Sequence, residues 1–313
     1  MKRIFVVGSL NVDMVFCLQA LPRQGETVKS RQWLLNCGGK GANQAVTCGK
    51  QDADVFMVGS VGEDGFARQL LTSLANAGVN TDFVRTVPVA STGLAVILLQ
   101  DGDNRIILGE GANALTRPEQ VREALEAKAR PGDILLVQLE IPLETVRYAL
   151  SLAKMMGLST VLNPAPALAV DDSLLRWVDW IIPNEIEAET LSGIPRTEPD
   201  FLSRAVTFFR TRGVGEVVVT LGENGAFYGN GNDLLAVPSY EIACVDTTAA
   251  GDAFVGTLVT GLAKGFSAEK ILPRANAAGA LTVSRPGAQS SIPTSIEIDK
   301  FLEKARPRAT RKG

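Results

Sequence analysis

Histidine is missing from this sequence: none of its 313 residues is a histidine. The absence excludes Ser–His and Cys–His nucleophilic catalysis, and it excludes every metal site that depends on imidazole ligands. A general base must then be an Asp, Glu, Lys, Tyr or Cys side chain. The reactive groups of this protein therefore have to be sought among those side chains and the backbone.

Cysteines are few, and long apolar runs are lacking. No two of the four cysteines form a C-x-x-C pair, so neither a zinc ribbon nor a redox motif is indicated. No apolar stretch is long enough to cross a bilayer, and residues 1–16 lack the continuous apolar run of a signal peptide. We therefore expect a cytoplasmic protein with reduced thiols and no membrane partner.

A large excess of charge of either sign is also lacking. The net charge is -3, which implies no general affinity for polyanions, so we expect no nucleic-acid partner. The basic tail, residues 305–313, is interpreted as a solvated chain end. With 46% hydrophobic and 21% charged residues, the composition is that of an ordinary globular protein of one large or two smaller domains.

The sequence does contain short apolar runs that alternate with helical patterns. Strands are predicted at 4–8, 54–59, 133–139, 159–163, 179–183 and 216–222. Helices are predicted at 40–51, 64–77, 117–129, 142–156, 198–212, 251–264 and 268–284. Continuous apolar strands are typical of a sheet covered on both faces. The alternation predicts an α/β fold with a doubly wound, mostly parallel sheet flanked by helices.

Two segments interrupt this alternation. Residues 11–36 and 91–109 each contain two short strand patterns without a helix, and the second pair is joined by the hairpin signal "DGD". We expect both ribbons to be inserted into a core formed by residues 1–10, 37–90 and 110–313, and to pair as a small antiparallel β lid. The lid would cover the edge of the sheet where ligands bind in open α/β folds. The alternative is a peripheral β excursion without a role in binding.

The common phosphate-binding motifs are absent. No G-x-x-x-x-G-K-[ST] spacing occurs, so this is not a P-loop protein. "GEGANA" at 109–114 matches a dinucleotide-binding pattern, but the next predicted helix begins near Pro118, too late for that geometry. Nucleotide binding, if present, has to use another arrangement.

The stretch "VDTTAAGDAF", residues 245–254, runs through small residues into a predicted helix. Unpaired backbone amides of Ala249, Ala250 and Gly251 at the helix start could receive an anion at close approach. Asp252 in the first helical turn would be ionised and ready to accept a proton. The alternative is that Asp252 only begins the helix and the alanines only pack tightly.

Two further motifs offer polar groups suited to a polyhydroxyl ligand. In "GSLNVD", Asn11 and Asp13 lie two residues apart on an extended segment and point the same way. In "NCGGKGANQAV", Gly39, Lys40 and Asn43 open a predicted helix. Paired donors and acceptors of this kind can hold vicinal hydroxyls. An Asx turn and an ordinary helix start are the alternatives.

The motifs "IIPNEIEAE" and "VTLGENGAF" each follow a predicted strand. Asn184 and Glu187 have capping-box spacing, which indicates a helix cap, or else a place near phosphates and a hydrated Mg²⁺. "GENG" is typical of a hairpin turn. All these polar segments follow predicted strands or open predicted helices, so we expect them to gather at one edge of the sheet.

This set of motifs resembles the ribokinase group of the PfkB carbohydrate kinase family. "GGKGANQAV" is similar to the N-terminal signature of the family, and "DTTAAGDAF" is similar to its C-terminal signature. "GSLNVD", "QLEIPLE", "LNPAPA", "PNEIEAE" and "TLGENG" occur in the order of the family. The resemblance covers essentially the whole chain, and it implies an ATP-dependent sugar kinase.

The resemblance also implies roles for individual residues. Asp252 would be the catalytic base, and the amides of Ala249, Ala250 and Gly251 would form an anion hole. The sugar would be held by Asn11, Asp13, Gly39, Lys40, Asn43, Glu140 and Asp252. ATP would face Asn184, Thr220, Gly222, Gly225 and Gly251, with Asn276 near the adenine.

Ions and a partner are implied in the same way. Asn184 and Glu187 match the element for Mg²⁺ and phosphate. An activating monovalent cation, usually K⁺, would lie near Asp246, Thr248, Val283, Arg285, Gly287 and Ser291. The β lid would form a homodimer interface. Two departures from the family pattern are Ala249, where the wider family has Gly, and Pro286, which stiffens the cation loop.

The substrate is expected to be a pentose, and Asn11 favours D-ribose over a 2-deoxy sugar. A buried amide that loses its hydroxyl partner costs roughly 1–3 kcal/mol, and relatives directed at deoxyribose tend to have an apolar residue here. Deoxyribose, fructose or a nucleoside remain alternatives. A non-catalytic sugar-binding regulator is another alternative. A nicotinamide-dependent oxidoreductase is a third, although the glycine motif that binds dinucleotides is missing.

Overall fold

The strands and helices are those of a computed structural model, which describes residues 1–100, 103–231 and 233–308. In chain order, strands β1 to β13 are Ile4–Val7, Asn11–Cys17, Gln32–Gly38, Val55–Gly62, Asn80–Val87, Gly93–Gln100, Asp103–Gly109, Ile134–Val137, Ser159–Leu162, Trp180–Ile181, Glu216–Thr220, Ala226–Gly229 and Leu234–Val237. Helices α1 to α10 are Lys40–Lys50, Gly65–Asn76, Pro118–Lys128, Leu143–Met155, Asp172–Leu175, Glu185–Ser192, Phe201–Arg210, Ala250–Ala263, Ala268–Val283 and Ser295–Leu302.

Nine strands form the main sheet, in the order β13-β12-β11-β10-β9-β8-β1-β4-β5. From β5 to β11 all neighbouring strands run parallel, and only β12 and β13 are antiparallel. The strand order reverses at β1, so helices are wound onto both faces. The predicted doubly wound, mostly parallel sheet is confirmed.

The central strand β1 shows why the two faces are covered. Ile4 and Val6 lie in one apolar core with residues of α1, α8 and α9, and Phe5 and Val7 lie in a second core with residues of α3, α4 and α7. All four side chains are fully buried. Because successive strand residues point to opposite faces, one short apolar run supplies both cores.

The two inserted ribbons pair into a second sheet with the order β3-β2-β6-β7. Each ribbon is antiparallel, and the two join through β2 and β6, which run parallel. β3 continues to Gly38 and leads directly into α1, past the predicted ribbon boundary at 36. Of the predicted "DGD" turn, residues 101 and 102 lie outside the described residues, as do residues 309–313 of the basic tail.

Several elements differ from the sequence prediction. β5 and β13, the two edge strands of the main sheet, were not expected: β5 mixes polar and apolar residues without a regular period, and β13 is an apolar run of only four residues. β3 begins at Gln32 rather than near 26, and α7 begins at Phe201 rather than 198. Within the described part of the chain, no helix is both long and apolar enough to span a membrane.

Candidate active site

A cavity of about 210 Å³ lies where β9, β10 and β11 end and α1, α6 and α8 begin. It brings together four of the sequence motifs, which are far apart along the chain. Its lining residues are Lys40, Asn163, Ala165, Ile182, Asn184, Glu187, Thr220, Thr247, Ala249, Ala250, Gly251, Asp252 and Val255. The expected gathering of these motifs at one edge of the sheet is therefore observed.

Asp252 is held in this cavity by two side-chain amides. Its Oδ2 accepts a hydrogen bond from Asn43 Nδ2 at 2.9 Å, and its Oδ1 accepts one from Gln44 Nε2 at 2.9 Å. Burial raises the pKa of Asp252, while Lys40 and the two amide hydrogen bonds act in the opposite direction. The two amides thus fix the carboxylate in one orientation and, together with Lys40, offset part of the effect of burial, which still leaves the pKa raised.

Gln44 belongs to a buried amide network that sequence reasoning missed. Its Nε2 also donates to Asn163 Oδ1 at 2.9 Å, and its Oε1 accepts from Gln138 Nε2 at 2.6 Å. Gln138 and Asn163 directly follow β8 and β9. Polar residues that directly follow buried strands, as Gln138 and Asn163 do, were the signal that could have found this network.

The start of α8 exposes backbone donors next to Asp252. Among the described residues, the amides of Ala249 and Gly251 have no hydrogen-bond partner. The Ala250 amide, which was expected to be unpaired, instead donates to the Thr247 carbonyl at 3.3 Å. The Ala250 amide is paired because the chain makes a tight turn just before the helix. An anion that arrives here would therefore find the amides of Ala249 and Gly251.

The turn before α8 is strained at Ala249. This residue has a φ of 61° and lies in the left-handed region. For a residue with a Cβ atom, that conformation costs roughly 1–2 kcal/mol. The sequence had identified the replacement of glycine by alanine here, and the structure shows that the backbone keeps the conformation glycine favours.

Lys40 is the cation of the site. Burial alone would lower its pKa, but the carboxylates of Asp252, Glu140, Glu187 and Asp13 outweigh burial, and the pKa is raised. The ammonium group therefore remains charged among four acidic side chains. Its position suits attraction of a phosphate group and compensation of the nearby carboxylates.

The predicted sugar-binding residues lie beside this cavity on β2, α1 and the segment after β8. Asn11 and Asp13 are buried on β2, and Gly39 has a φ of 85° with its Cα close to Asn11. A Cβ atom on Gly39 would lie 2.6 Å from the Asn11 backbone nitrogen. Glu140 Oε2 accepts from Ser9 Oγ at 2.5 Å and from the Lys40 amide at 3.1 Å.

The carboxyl group of Asp13 is strongly perturbed by its surroundings. Burial, together with the charges of Glu140 and Asp252, raises its pKa to about 7, against a partial lowering by Lys40. Asp13 and Asp252 thus add unfavourable charge to the unliganded site. A polyhydroxyl ligand would relieve that cost by donating hydrogen bonds to Asp13.

We expect Asp13→Asn to stabilise the unliganded protein at high pH. Because the folded-state pKa of Asp13 is raised, its favourable contribution is complete at low pH and is lost as the pH rises towards about 7. The variant should therefore gain roughly 3 kcal/mol relative to wild type between about pH 5 and pH 8. Denaturant melts at both pH values measure this. A matched control is Asp54→Asn at an exposed ion pair with Arg3, and a pH-independent difference for Asp13→Asn would contradict the prediction.

On the opposite side of the cavity, Asn184 and Glu187 form the capping box that begins α6. Glu187 Oε2 accepts from the Asn184 amide at 2.8 Å, and Asn184 Oδ1 accepts from the Glu187 amide at 2.8 Å. Both residues also line the cavity. The helix cap is therefore present, and the same residues face the predicted phosphate position.

Among the other predicted nucleotide-binding residues, Thr220 lines the cavity, whereas Gly222 and Gly225 lie outside its lining, in the turn between β11 and β12. Asn276 Nδ2 donates to the Val237 carbonyl at 3.0 Å and to the Pro238 carbonyl at 3.1 Å. The amide hydrogens of Asn276 are therefore already used within the protein, and only its Oδ1 remains for a ligand.

The residues predicted around a monovalent cation join two loops behind α8. Asp246 accepts hydrogen bonds from the Thr248 amide and from the Gly287 amide, both at 2.9 Å. The Val283 carbonyl accepts from two amides of the other loop. Arg285 instead pairs with Glu297 at 2.7 Å, and Ser291 donates to the Ala288 carbonyl. In the described part of the chain there is no cluster of three or more acidic, Cys or His ligands.

Comparison with known proteins agrees with this architecture. The model of the pfkB family carbohydrate kinases matches residues 1–295. A ribokinase of Haemophilus influenzae is 37% identical over 305 residues, which is 97% of this chain and 99% of the relative. A deoxyribokinase of Salmonella typhi is 35% identical over 301 residues, 96% of this chain and 98% of the relative.

A solved structure is similar over the same extent. The ribokinase of Arabidopsis thaliana in complex with ribose and ATP superimposes with a TM-score of 0.86 at 32% identity, covering 96% of this chain and 99% of the other. Family signature, relatives and fold therefore agree with one another. The chain belongs to the PfkB family of carbohydrate kinases, in its ribokinase group.

Proposed function

We propose that this protein transfers the γ-phosphate of ATP to the 5-hydroxyl of D-ribose and so forms D-ribose 5-phosphate. The observation that carries the proposal is the Asp252 carboxylate, which two amides hold beside the free donors of α8. Similarity to ribokinases, one of them in complex with ribose and ATP, supports the choice of substrates.

The geometry suits a direct transfer. Asp252 accepts the proton of the sugar hydroxyl, whose oxygen forms a bond to the γ-phosphorus while the bond from that phosphorus to the bridging oxygen of ADP breaks. The amides of Ala249 and Gly251 and the ammonium of Lys40 stabilise the charge on the transferring group. Alignment and charge neutralisation suffice for this chemistry, so histidine is not needed.

Magnesium fits the residues at α6. Both Glu187 oxygens already accept hydrogen bonds from Asn184, at 2.8 and 2.9 Å, so Glu187 is suited to contact a water of a hydrated ion rather than the ion itself. Burial raises the pKa of Glu187, and a cation nearby would favour its ionised form. Bound Mg²⁺ would neutralise phosphate charge; Asn184 and Glu187 would orient its water shell.

A potassium ion fits the loops at Asp246 and Val283. The oxygen atoms at these loops are one carboxylate together with backbone carbonyl and hydroxyl oxygens, which already take part in hydrogen bonds within the protein. The low total charge of this set favours a monovalent over a divalent cation. Since Asp246 also ties the Thr248 and Gly287 segments together, an ion here would order the turn that precedes α8.

A panel of sugars tests the proposal. We expect ATP and Mg²⁺ to give fast ADP release with D-ribose, slower release with 2-deoxyribose and fructose, and a higher rate when K⁺ is added. Preference for deoxyribose would favour the activity named for the Salmonella typhi relative. Ribose binding without turnover would indicate a regulator, and NAD(H) binding would indicate an oxidoreductase.

We further propose a homodimer that forms through the β lid. Its strands β3 and β7 expose large apolar side chains: Trp33 is 59% exposed, Ile106 57% and Ile107 63%. Apolar residues in such number on one small sheet are typical of a contact surface. The mass in solution, by light scattering, should be twice that of one chain. A cytoplasmic location remains a prediction.

A further inference from the structure

A second buried amide, Asn113, contacts the sugar-side residue Asn11. Asn113 Nδ2 donates to Asn11 Oδ1 at 2.7 Å and to the Leu10 carbonyl at 3.2 Å, and its Oδ1 accepts from the Leu10 amide at 2.9 Å. Asn113 is 1% exposed and Asn11 is 3% exposed. Asn113 lies in the short 3-10 turn after the second lid ribbon, outside every role assigned above.

The backbone of Leu10 decides which way both amides face. A backbone N–H can only donate and a carbonyl can only accept, so the oxygen of Asn113 must face the Leu10 amide and its NH₂ must face the Leu10 carbonyl. The remaining hydrogen of that NH₂ then points at Asn11, so the side-chain oxygen of Asn11 must accept this hydrogen bond. Asn11 is left with its own NH₂, which makes no hydrogen bond to any described residue.

Gly93, the first residue of lid strand β6, packs against both amide side chains. A Cβ atom on Gly93 would lie 2.2 Å from Asn11 Oδ1 and 2.3 Å from Asn113 Nδ2. The backbone of the lid therefore packs directly on the amide pair. The orientation of Asn11 is fixed before any ligand arrives.

We infer that Asn113 is a positioning residue that sets pentose selection, by forcing Asn11 to present N–H donors beside the acceptor Asp13. This inference rests on the proposed function. A sugar hydroxyl has one proton, which it can give to Asp13 while its oxygen accepts from Asn11. If Asn11 were turned round, both protein groups would be acceptors and one would remain unmatched.

The test is Asn113→Asp, with kcat/KM measured for D-ribose and for 2-deoxy-D-ribose. In wild type we expect ribose to be preferred by about 5- to 150-fold, the range set by one unmatched buried group. Aspartate cannot donate to Asn11, so Asn11 should turn and the preference should fall to within roughly threefold of unity. Where the protein folds poorly, Asn113→Ala also removes the donor, and direct binding of both sugars gives the same comparison.

A double-mutant cycle separates positioning from general damage. In an Asn11→Ala background, Asn113→Asp should leave the ribose-to-deoxyribose ratio unchanged, because no amide remains to be oriented. The matched control is Gln120→Glu, another buried amide whose Nε2 donates to main-chain carbonyls, at Gly59 and Phe83. That variant can lower stability but should keep the wild-type ratio.

The outcomes distinguish the inference from the function on which it rests. An unchanged ratio in Asn113→Asp, or an equal loss with and without Asn11, overturns the inference while ribose turnover still supports the kinase. A wild type that phosphorylates neither pentose contradicts the proposed function, and the inference falls with it. If Asn113→Asp lowers the ribose-to-deoxyribose ratio of kcat/KM in the presence of Asn11 but not in the Asn11→Ala background, both the inference and the proposed function are supported.

Discussion

Asp252→Asn should lower kcat by roughly 10²- to 10⁴-fold, the usual span for a positioned general base. The variant keeps the shape of the side chain but cannot take the proton of the sugar hydroxyl. Sugar affinity should largely survive, because the other predicted sugar contacts are untouched. The effect should therefore appear in kcat and hardly in the ribose dissociation constant.

The structure explains why this substitution can be accommodated. Both Asp252 oxygens accept from amide donors, so an asparagine at this position would place its NH₂ against one of them. Asn43 can resolve the conflict, because its Oδ1 is buried without a hydrogen-bond partner in the described structure. If its amide turns, that oxygen accepts from the new NH₂ and the fold is preserved.

The measurements are coupled ADP release for kcat and titration calorimetry for ribose, with Asp54→Asn as the control carboxylate. Asp54 forms an ion pair with Arg3, and the Asp54 side chain is 56% exposed. Its variant should behave as wild type. A kcat for Asp252→Asn within a few-fold of wild type would show that another group is the base.

Gly251→Val should lower kcat/KM for ATP by about 10²- to 10³-fold, as does loss of one oxyanion donor in other enzymes. Gly251 is exposed in the first turn of α8, and apart from its chain neighbours and the backbone of its own helix, no atom of the described residues lies within 4 Å of a Cβ atom built on it. The free protein therefore has room for a side chain. We expect that room to be needed by the transferring phosphate, which the valine would keep away from the amides.

Stability should change little in this variant, since valine is compatible with a helix and meets no neighbour. Gly65 is the matched control, because it is also exposed at the start of a helix, α2, with nothing within 4 Å. Gly65→Val should keep wild-type activity. Equal activity of Gly251→Val and Gly65→Val would show that no anion approaches the start of α8.

Much of the fold could be predicted because its signals are local. The apolar run at residues 4–8 and its counterparts are continuous, which already indicates a sheet buried on both faces. The two glycine-containing signatures directly precede or open helices, which placed Lys40 and Asp252 at the same edge. By contrast, the edge strand β5 mixes polar and apolar residues, and its identity depends on β4 beside it.

The sequence by itself determined the doubly wound architecture, the excluded chemistries and the likeness to sugar kinases, because periodicity, composition and motif order are properties of neighbouring residues. Only the tertiary structure decided how Asp252 and Asn11 are oriented, since Gln44 and Asn113 lie 208 and 102 residues away from them. It also decided the raised pKa of Asp13 and the use of the Ala250 amide. Hydrogen-bond direction and desolvation depend on groups that meet only after folding, and no local pattern records them.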